Sequence, residues 1–506
     1  MSAQVSSMLI RGRAGLAVNK PTEPVPTGWV WVPVNSVARQ ETGHTPSRSR
    51  PEWWGGDIPW IGIRDARLHH GGVIYDTLQT TNPLGLANSS ARLLPKGTVC
   101  LSRTASVGYV TVMGRDMATS QDFVTWTCSE ALVPEFLVKA LIAEGEGLRK
   151  FGKGTTHTTI YFPEIRALHI CLPPLAEQKR IVAKLDTLSA KSARARNELA
   201  RIETLVSRYK QAVLRSAFLG QMTSEWRTRN AALQTASDLI DCTPTPPQPR
   251  GGRDATDRVI QGKAALAVNT PPRQAPPKWQ WVPLSRIARQ ETGHTPSRSH
   301  PEWWDGDIPW IGIKDAGAHH GRIIEETIQT TNEEGLANSA ARLLPAGTVC
   351  LSRTASVGYV TIMGKPMATS QDFVTWTCTE ALVPKFLMYA LMAEGDDIRE
   401  FGKGTTHTTI YFPEVRAMQI CLAPLEEQHE IARRIEAAFA KIDRLAKEAK
   451  RALELVGRLD EAILAKAFRG ELVPQDENDE PAEKLLERIR SERQATPKAG
   501  RGRGKV

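Results

Sequence analysis

Cysteine is sparse in this 506-residue chain: seven, at 100, 128, 171, 242, 350, 378 and 421, with no Cys-x-x-Cys spacing among them. Closely spaced pairs make zinc ribbons and dense, regular ones make secreted disulfide frameworks, so both classes are excluded. No window of 18 apolar residues exists, which excludes a spanning helix. The first ten residues, Met1-Ser-Ala-Gln-Val-Ser-Ser-Met-Leu-Ile10, lack the apolar core of a signal peptide. A cytoplasmic protein is the expectation. Catalytic signatures are missing as well. Phe151-Gly-Lys-Gly-Thr-Thr156 fails as a phosphate loop, because Ser or Thr must directly follow the lysine and Gly154 stands there. Asn82-Pro83-Leu84 lacks the second proline and the aromatic of an Asn-Pro-Pro-aromatic tetrapeptide, and 250 positions on the chain reads Asn332-Glu333. Neither Gly-x-Ser-x-Gly nor His-Glu-x-x-His occurs. His157 and His407 stand singly among threonines, whereas metal ligands come in clusters. The chain is expected to be non-catalytic and to bind no metal or cofactor itself.

What is present is a repeat. Residues 39–161 return as residues 289–411 without an insertion or deletion. Arg39-Gln-Glu-Thr-Gly-His-Thr-Pro-Ser-Arg48 matches Arg289-Gln-Glu-Thr-Gly-His-Thr-Pro-Ser-Arg298, and 27 of 30 residues agree between 99–128 and 349–378. A period this long is a duplicated domain with an appendage. Hydrophobic residues at 41% and charged residues at 24% suit real cores. A net charge of +10 and a pI near 9.3 favour an anionic partner, nucleic acid before membrane surface.

Taken in order, residues 1–28 read as a loose lead-in. Strands are expected at 29–33, 56–65, 97–103, 108–114, 123–128 and 166–172, a helical turn at 37–41, and a helix from Pro134 to about Gly145. This gives a mixed α/β (α+β) domain over 29–173, repeated over 279–423. Between them lie a helix at 174–222 and a Pro-rich linker at 223–278 whose run Cys242-Thr-Pro-Thr-Pro-Pro-Gln-Pro-Arg-Gly-Gly252 has no means of packing. A second helix follows at 424–470, then a C-terminal segment with a short helix and a basic tail at 471–506. In the first helix Leu185, Leu188, Ser192, Ala195, Leu199, Ile202, Val206, Tyr209 and Val213 step by three and four. In the second, Ile435, Ala438, Ile442, Leu445, Ala449, Ala452, Val456, Leu459 and Ile463 do the same. Such seams signal a coiled coil, so the two helices are expected to pair with each other.

The loops suit DNA, because Thr, Ser, Arg, Lys, Gln and His supply donors to phosphates and base edges. The candidates are Thr45, Ser47, Arg48, Arg103, Thr104, Ser106, Ser120, Gln121, Lys153, Thr155, Thr156, His157 and Tyr161. Their equivalents are Thr295, Ser297, Arg298, Arg353, Thr354, Ser356, Ser370, Gln371, Lys403, Thr405, Thr406, His407 and Tyr411. Turn capping is the alternative use of Ser120 and Thr104. Trp53, Trp54 and Trp60 are assigned to the core.

At these residues the chain resembles the specificity subunit of type I restriction-modification enzymes, over nearly its whole length. The matching motifs are Gly43-His-Thr-Pro-Ser47, Ile58-Pro-Trp-Ile61, Leu101-Ser-Arg-Thr-Ala-Ser-Val-Gly108, Gly154-Thr-Thr-His157, Pro173-Pro-Leu-Ala-Glu-Gln-Lys-Arg-Ile181, Ala217-Phe-Leu-Gly220 and Glu480-Pro-Ala-Glu-Lys-Leu-Leu-Glu487. The resemblance implies two target-recognition domains, each reading half of a bipartite site in double-stranded DNA. It implies long antiparallel helices that fix the spacing and dock two methyltransferase (modification) subunits. S-adenosylmethionine, ATP and Mg then belong to the partners, which include restriction/translocase subunits. The linker is longer than a minimal member needs. A runner-up is the recognition subunit of a methylation-only or other defence complex without a nuclease; a restriction gene beside the methyltransferase gene decides between them. A third reading, a scaffold for proteins alone, predicts no DNA affinity. Residues 181–213 and 431–463 share only 10 of 33 residues. Near-identical domains on diverged helices imply one specificity read twice, hence an inverted-repeat site.

Overall fold

A computed structural model of the protein describes residues 9–104, 106–153, 158–249, 254–354, 356–404 and 408–495. The chain forms two compact units, residues 1–199 with 451–506, and residues 200–450. No helix among the described residues is long and apolar enough to cross a membrane.

In the first unit the strand Phe123–Cys128 is central. Its β-branched and aromatic residues suit a strand covered on both faces, and its first four are buried. Ala38–Thr42 and Val99–Ser102 flank it antiparallel, and Val110–Met113 and Val73–Ile74 complete five strands. Leu168–Leu172 lies between Leu16–Val18 and Val30–Pro33 in a four-stranded antiparallel sheet. In a third, three-stranded sheet Trp54–Ile61 is central, and its ladder with Gln79–Thr81 slips between Trp54 and Ile58. Such a bulge bends a strand and re-aims its side chains. The helix Pro134–Glu144 opens on a proline, tolerated where the N–H has no intrahelical acceptor, and buries Phe136, Leu137, Val138, Ala140 and Leu141.

The helix ends on a clasp. The buried Glu144 carboxylate accepts from the backbone N–H of Arg13, Ala14 (3.0 Å) and Leu16 (3.2 Å). Burial pushes its pKa up, against the amides that hold it charged. A Cβ at Gly12 would stand 2.4 Å from the carboxylate oxygens, so the clasp would have to shift to admit one.

The second unit repeats this plan. Phe373–Cys378 is central between Ala288–Thr292 and Val349–Ser352, and Met418–Leu422 lies between Leu266–Val268 and Gln280–Pro283. Glu394 accepts from Lys263, Ala264, Ala265 and Leu266 N–H groups at 2.7–3.2 Å.

Two 44-residue helices, Leu175–Phe218 and Leu425–Phe468, run about 66 Å each at 1.5 Å per residue. They pack antiparallel. In the first unit Ile181 and Leu185 share a core with Ala467 and Phe468; in the second Leu214, Ala217 and Phe218 share one with Ile431 and Ile435. Arg196 pairs with Asp460 in the first unit and Lys210 with Asp443 in the second.

Where each long helix begins, a buried glutamate accepts from a buried indole, Trp29 Nε1 to Glu177 at 2.9 Å and Trp279 Nε1 to Glu427 at 3.0 Å. Glu427 also receives Thr223 Oγ1 (2.6 Å) and the Arg227 guanidinium (2.7 Å). Glu177 Oε1, out of reach of water, has no partner among the described residues.

Several expectations need correction. The lead-in 1–28 contains two strands, Ile10–Arg11 and Leu16–Val18; Leu16 is buried because its strand registers against Ile170. The linker 223–278 contains helices Ser224–Arg229 and Ala236–Cys242 and strands Ile260–Gln261 and Leu266–Val268. Its proline run is pinned by Gln248, which donates to Ser285 and Ala288 carbonyls and accepts from Gln290 N–H. The turn expected at 37–41 is a short helix, Val34–Val37, followed by the strand Ala38–Thr42, whose pairing with the central strand overrides local preference. Along the helix seams Leu185, Ile435 and Ile442 are buried, and Leu188, Leu199, Ile202, Val206 and Val456 half-buried. Leu445 and Leu459 are instead 58% and 54% exposed, and Tyr209 66%. Ala446 and Asp460, one residue on, are half-buried where the two leucines are not.

Candidate nucleic-acid interface

The candidate residues of the first unit gather on two adjoining loops. Gly43 begins the first, where any Cβ would stand 2.0 Å from the Thr119 carbonyl oxygen. That contact lets His44 N–H donate to Thr119 O at 2.9 Å, and Trp60 Nε1 donates to His44 O at 3.1 Å. Arg48 then lies over the Trp54 and Trp60 rings, 5.3 and 5.8 Å from their centroids, and donates to Gln79 Oε1 at 3.2 Å. The two indoles meet edge to face at 5.2 Å, and Trp54 Nε1 donates to Ser47 O at 3.2 Å. A guanidinium held over indole faces gains cation–π attraction and keeps a planar set of donors at the surface.

The second loop is joined through Gln121, whose Oε1 accepts from Thr45 Oγ1 at 2.6 Å and whose carbonyl accepts from Arg103 at 3.1 Å. Arg103 lies 4.5 Å over the Phe162 ring. Burial pulls its pKa down while Asp122 opposes the shift. Thr104 and Ser120 both donate to the Asp122 carboxylate, at 2.6 and 3.1 Å, so their hydroxyls brace the loop.

Other candidates stand apart. Lys153 pairs with the buried Glu164 at 3.2 Å, and Tyr161 is exposed at the start of the short helix Phe162–Arg166. Ser106 makes a turn, its carbonyl accepting from Ser102 Oγ. Thr155, Thr156 and His157, like Thr405, Thr406 and His407, lie outside the described residues.

The second unit builds the same cluster. Arg298 lies 4.7 Å over Trp304 and 5.8 Å over Trp310 and donates to Gln329 at 2.9 Å. Thr295 donates to Gln371, Arg353 donates to the Gln371 carbonyl over Phe412, and Thr354 and Ser370 donate to Asp372. Ser297 accepts from Trp304, Ser356 from Ser352, Lys403 pairs with Glu414, and Tyr411 is exposed.

Sequence reasoning missed Gln79 and Gln329, Asp122 and Asp372, and the role of Trp54 and Trp304. All are identical between copies, the one signal that could have flagged them. Trp60 is buried as assigned, but Trp53 and Trp54 are half-buried. Asn82 caps the helix Pro83–Ala87 by accepting from Gly85 N–H at 2.9 Å, a structural use of the Asn-Pro pair.

Each unit is a mixed α/β domain carrying the same arginine-bearing loops, which defines a duplicated protein with one candidate surface per unit. The family model for the type I restriction modification DNA specificity domain matches residues 26–204 and 276–455, and the chain belongs to that family. The EcoKI specificity subunit of Escherichia coli K12 is 24% identical over 506 residues, covering 93% of this chain and 97% of its own. The Escherichia coli EcoDI specificity subunit is 26% identical over 385 residues, 72% of this chain and 77% of its own. Among solved structures, the HsdS subunit from Thermoanaerobacter tengcongensis superposes with a TM-score of 0.56 at 20% identity, over 89% of this chain and 99% of that one. A chain of a solved type I R-M system gives 0.61 at 19%, over 89% and 100%.

Proposed function

We propose that the chain is the non-catalytic DNA-reading subunit of a type I complex, and that its two domains read the same few bases on either side of an unspecified spacer. The observation that carries this is the duplicated cluster, in which Arg48–Trp54–Gln79 and Arg298–Trp304–Gln329 share the same contacts. An arginine held flat suits bidentate donation to guanine or to a phosphate, and an exposed glutamine suits adenine. Antiparallel pairing reverses one long helix against the other, so the half-sites are taken as inverted. The helices set the spacing and dock adenine methyltransferase subunits, which supply S-adenosylmethionine. ATP and Mg serve the restriction/translocase partner. Mapping N6-methyladenine across the genome that encodes the chain tests this. One inverted bipartite motif with one methylated adenine per strand is the expected result; two unrelated half-sites would overturn it.

A further inference from the structure

The two recognition domains carry the same cluster but not the same charge. Residues 39–161 hold 13 Lys and Arg against 11 Asp and Glu, a net of +2. Residues 289–411 hold 10 against 15, a net of −5, with histidine neutral in both. None of this difference lies in the cluster itself, where Arg48, Gln79, Arg103 and Gln121 return as Arg298, Gln329, Arg353 and Gln371.

Four of the seven charges separate one corner beside that cluster. Arg50, two residues after Arg48, becomes His300, and Gly55, next to Trp54, becomes Asp305. Pro83 and Leu84 become Glu333 and Glu334, at the start of the helix Glu333–Ala337. That helix is tied to the turn Pro301–Trp303, since Asn332 Nδ2 donates to Glu302 O and Thr331 Oγ1 to Trp303 O, both at 2.7 Å. Asn82 and Thr81 make the same two bonds in the first unit, at 2.8 and 2.7 Å. The corner therefore holds Arg50, Glu52 and Asp57 in one unit, and Glu302, Asp305, Asp307, Glu333 and Glu334 in the other. There His300 is stacked on Trp303, ring centroids 4.1 Å apart, with Nδ1 2.8 Å from Glu302. All of these charged positions are exposed.

Folding does not account for the set. Carboxylates suit the first turn of a helix, which gives Glu333 and Glu334 a local rationale. Asp305 has the opposite: its φ is +61°, where Gly55 stands at +71°, and glycine takes that conformation freely while a side chain does not. All four changes act in one direction, each removing positive charge or adding negative. A phosphate backbone approaching Arg298 meets these carboxylates at the same corner, and repulsion between exposed charges acts over about 8 Å at physiological ionic strength.

We infer that the two domains grip DNA in a fixed order, set by positions 50, 55, 83 and 84 against 300, 305, 333 and 334. The first domain takes a half-site from solution. The second, its corner acidic, closes only on the half-site that the first has brought to it, where tethering raises the local concentration of DNA. Two equal heads could each hold a separate half-site; unequal heads favour a complete one. Once both are seated the clusters make the same contacts, so the order changes how a site is reached and not which bases are read. The inference rests on the proposal that both domains read DNA, and adds which of them engages first.

The test titrates the complex of the full chain and its methyltransferase subunit with short duplexes, each carrying one half of the mapped site. Wild type should bind them in two steps about tenfold or more apart at low salt, the gap closing as salt rises. The set H300R, D305G, E333P and E334L gives the second domain the corner of the first and should merge the steps at the tighter affinity. The reverse set, R50H, G55D, P83E and L84E, should merge them at the weaker one and slow association with a complete site about tenfold. Melting curves matched to wild type confirm that both variants fold. Two equal steps in wild type, or a gap that the first set leaves in place, would overturn the order, as would association with a complete site that the reverse set leaves unchanged. A wild-type complex that binds neither half-site nor complete site would fell the DNA-reading proposal itself.

Discussion

Glu177 and Glu427 occupy equivalent places at the starts of the two long helices, yet they are partnered differently. Glu427 is saturated by Thr223, Arg227 and Trp279, whereas Glu177 receives Trp29 alone on one oxygen. At an offset of 250, Val473 and Glu477 stand where Thr223 and Arg227 would be. By contrast, Arg48 and Arg298 keep the same contacts atom for atom. The two halves have been free to solve a packing problem in different ways while their surface loops stayed the same. At this buried site the copies differ, whereas the contacts of Arg48 and Arg298 are kept.

Removing Glu427 should cost most. Glu427→Ala strands Arg227 in a buried site and should destabilise the second unit by about 3–5 kcal/mol, read from denaturant unfolding. The same change at Glu177 should cost distinctly less; equal losses would break the contrast. Next come Arg48→Ala and Arg298→Ala, each expected to weaken DNA binding of the assembled complex by about 1–3 kcal/mol. The two losses should match, and a clear inequality in titrations on the mapped site would show that the clusters read different bases.

Burial pushes the Glu177 carboxyl pKa up, with Trp29 and Arg180 opposing and Asp479 reinforcing the shift. A raised folded-state pKa means that the folded form binds the proton more tightly. Its contribution is present at pH below the ordinary carboxylate range and is lost as pH rises through the raised value. Glu177→Gln should flatten that rise in stability of the first unit toward acid pH, seen by following thermal unfolding from pH 7 to 4. The smallest effect is expected from Val473→Thr, which supplies the hydroxyl that Thr223 gives the other half. A gain of about 1 kcal/mol would sharpen the comparison; a loss would show that Glu177 is held by apolar packing.

The repeat, the central strands and the long helices were legible in the sequence because each rests on a periodic signal, as in Phe123–Cys128. Leu16–Val18 was not, since a three-residue strand among glycines is fixed only by a partner 150 positions away. Leu445 and Leu459 are exposed because heptad stepping marks which positions recur and not how much of the stripe a partner covers. Thr45, Arg48, Arg103 and Gln121 could be named from residue type in loops. The Arg48–Trp54–Gln79 contact could not, because it is created by a bulge and a cross-strand register.

The division into one continuous unit and one discontinuous unit also sets an order of assembly on the ribosome. Residues 200–450 emerge as one run and carry everything the second unit needs, including Phe218 against Phe386 at 5.0 Å. The first unit waits for residues beyond 451 to bring Phe468 against Phe136 at 5.3 Å and Leu485 into its core. Domains fold as units during synthesis, so the half that is translated first is closed last. Until then Phe136 lacks the Phe468 ring that packs on it in the finished fold.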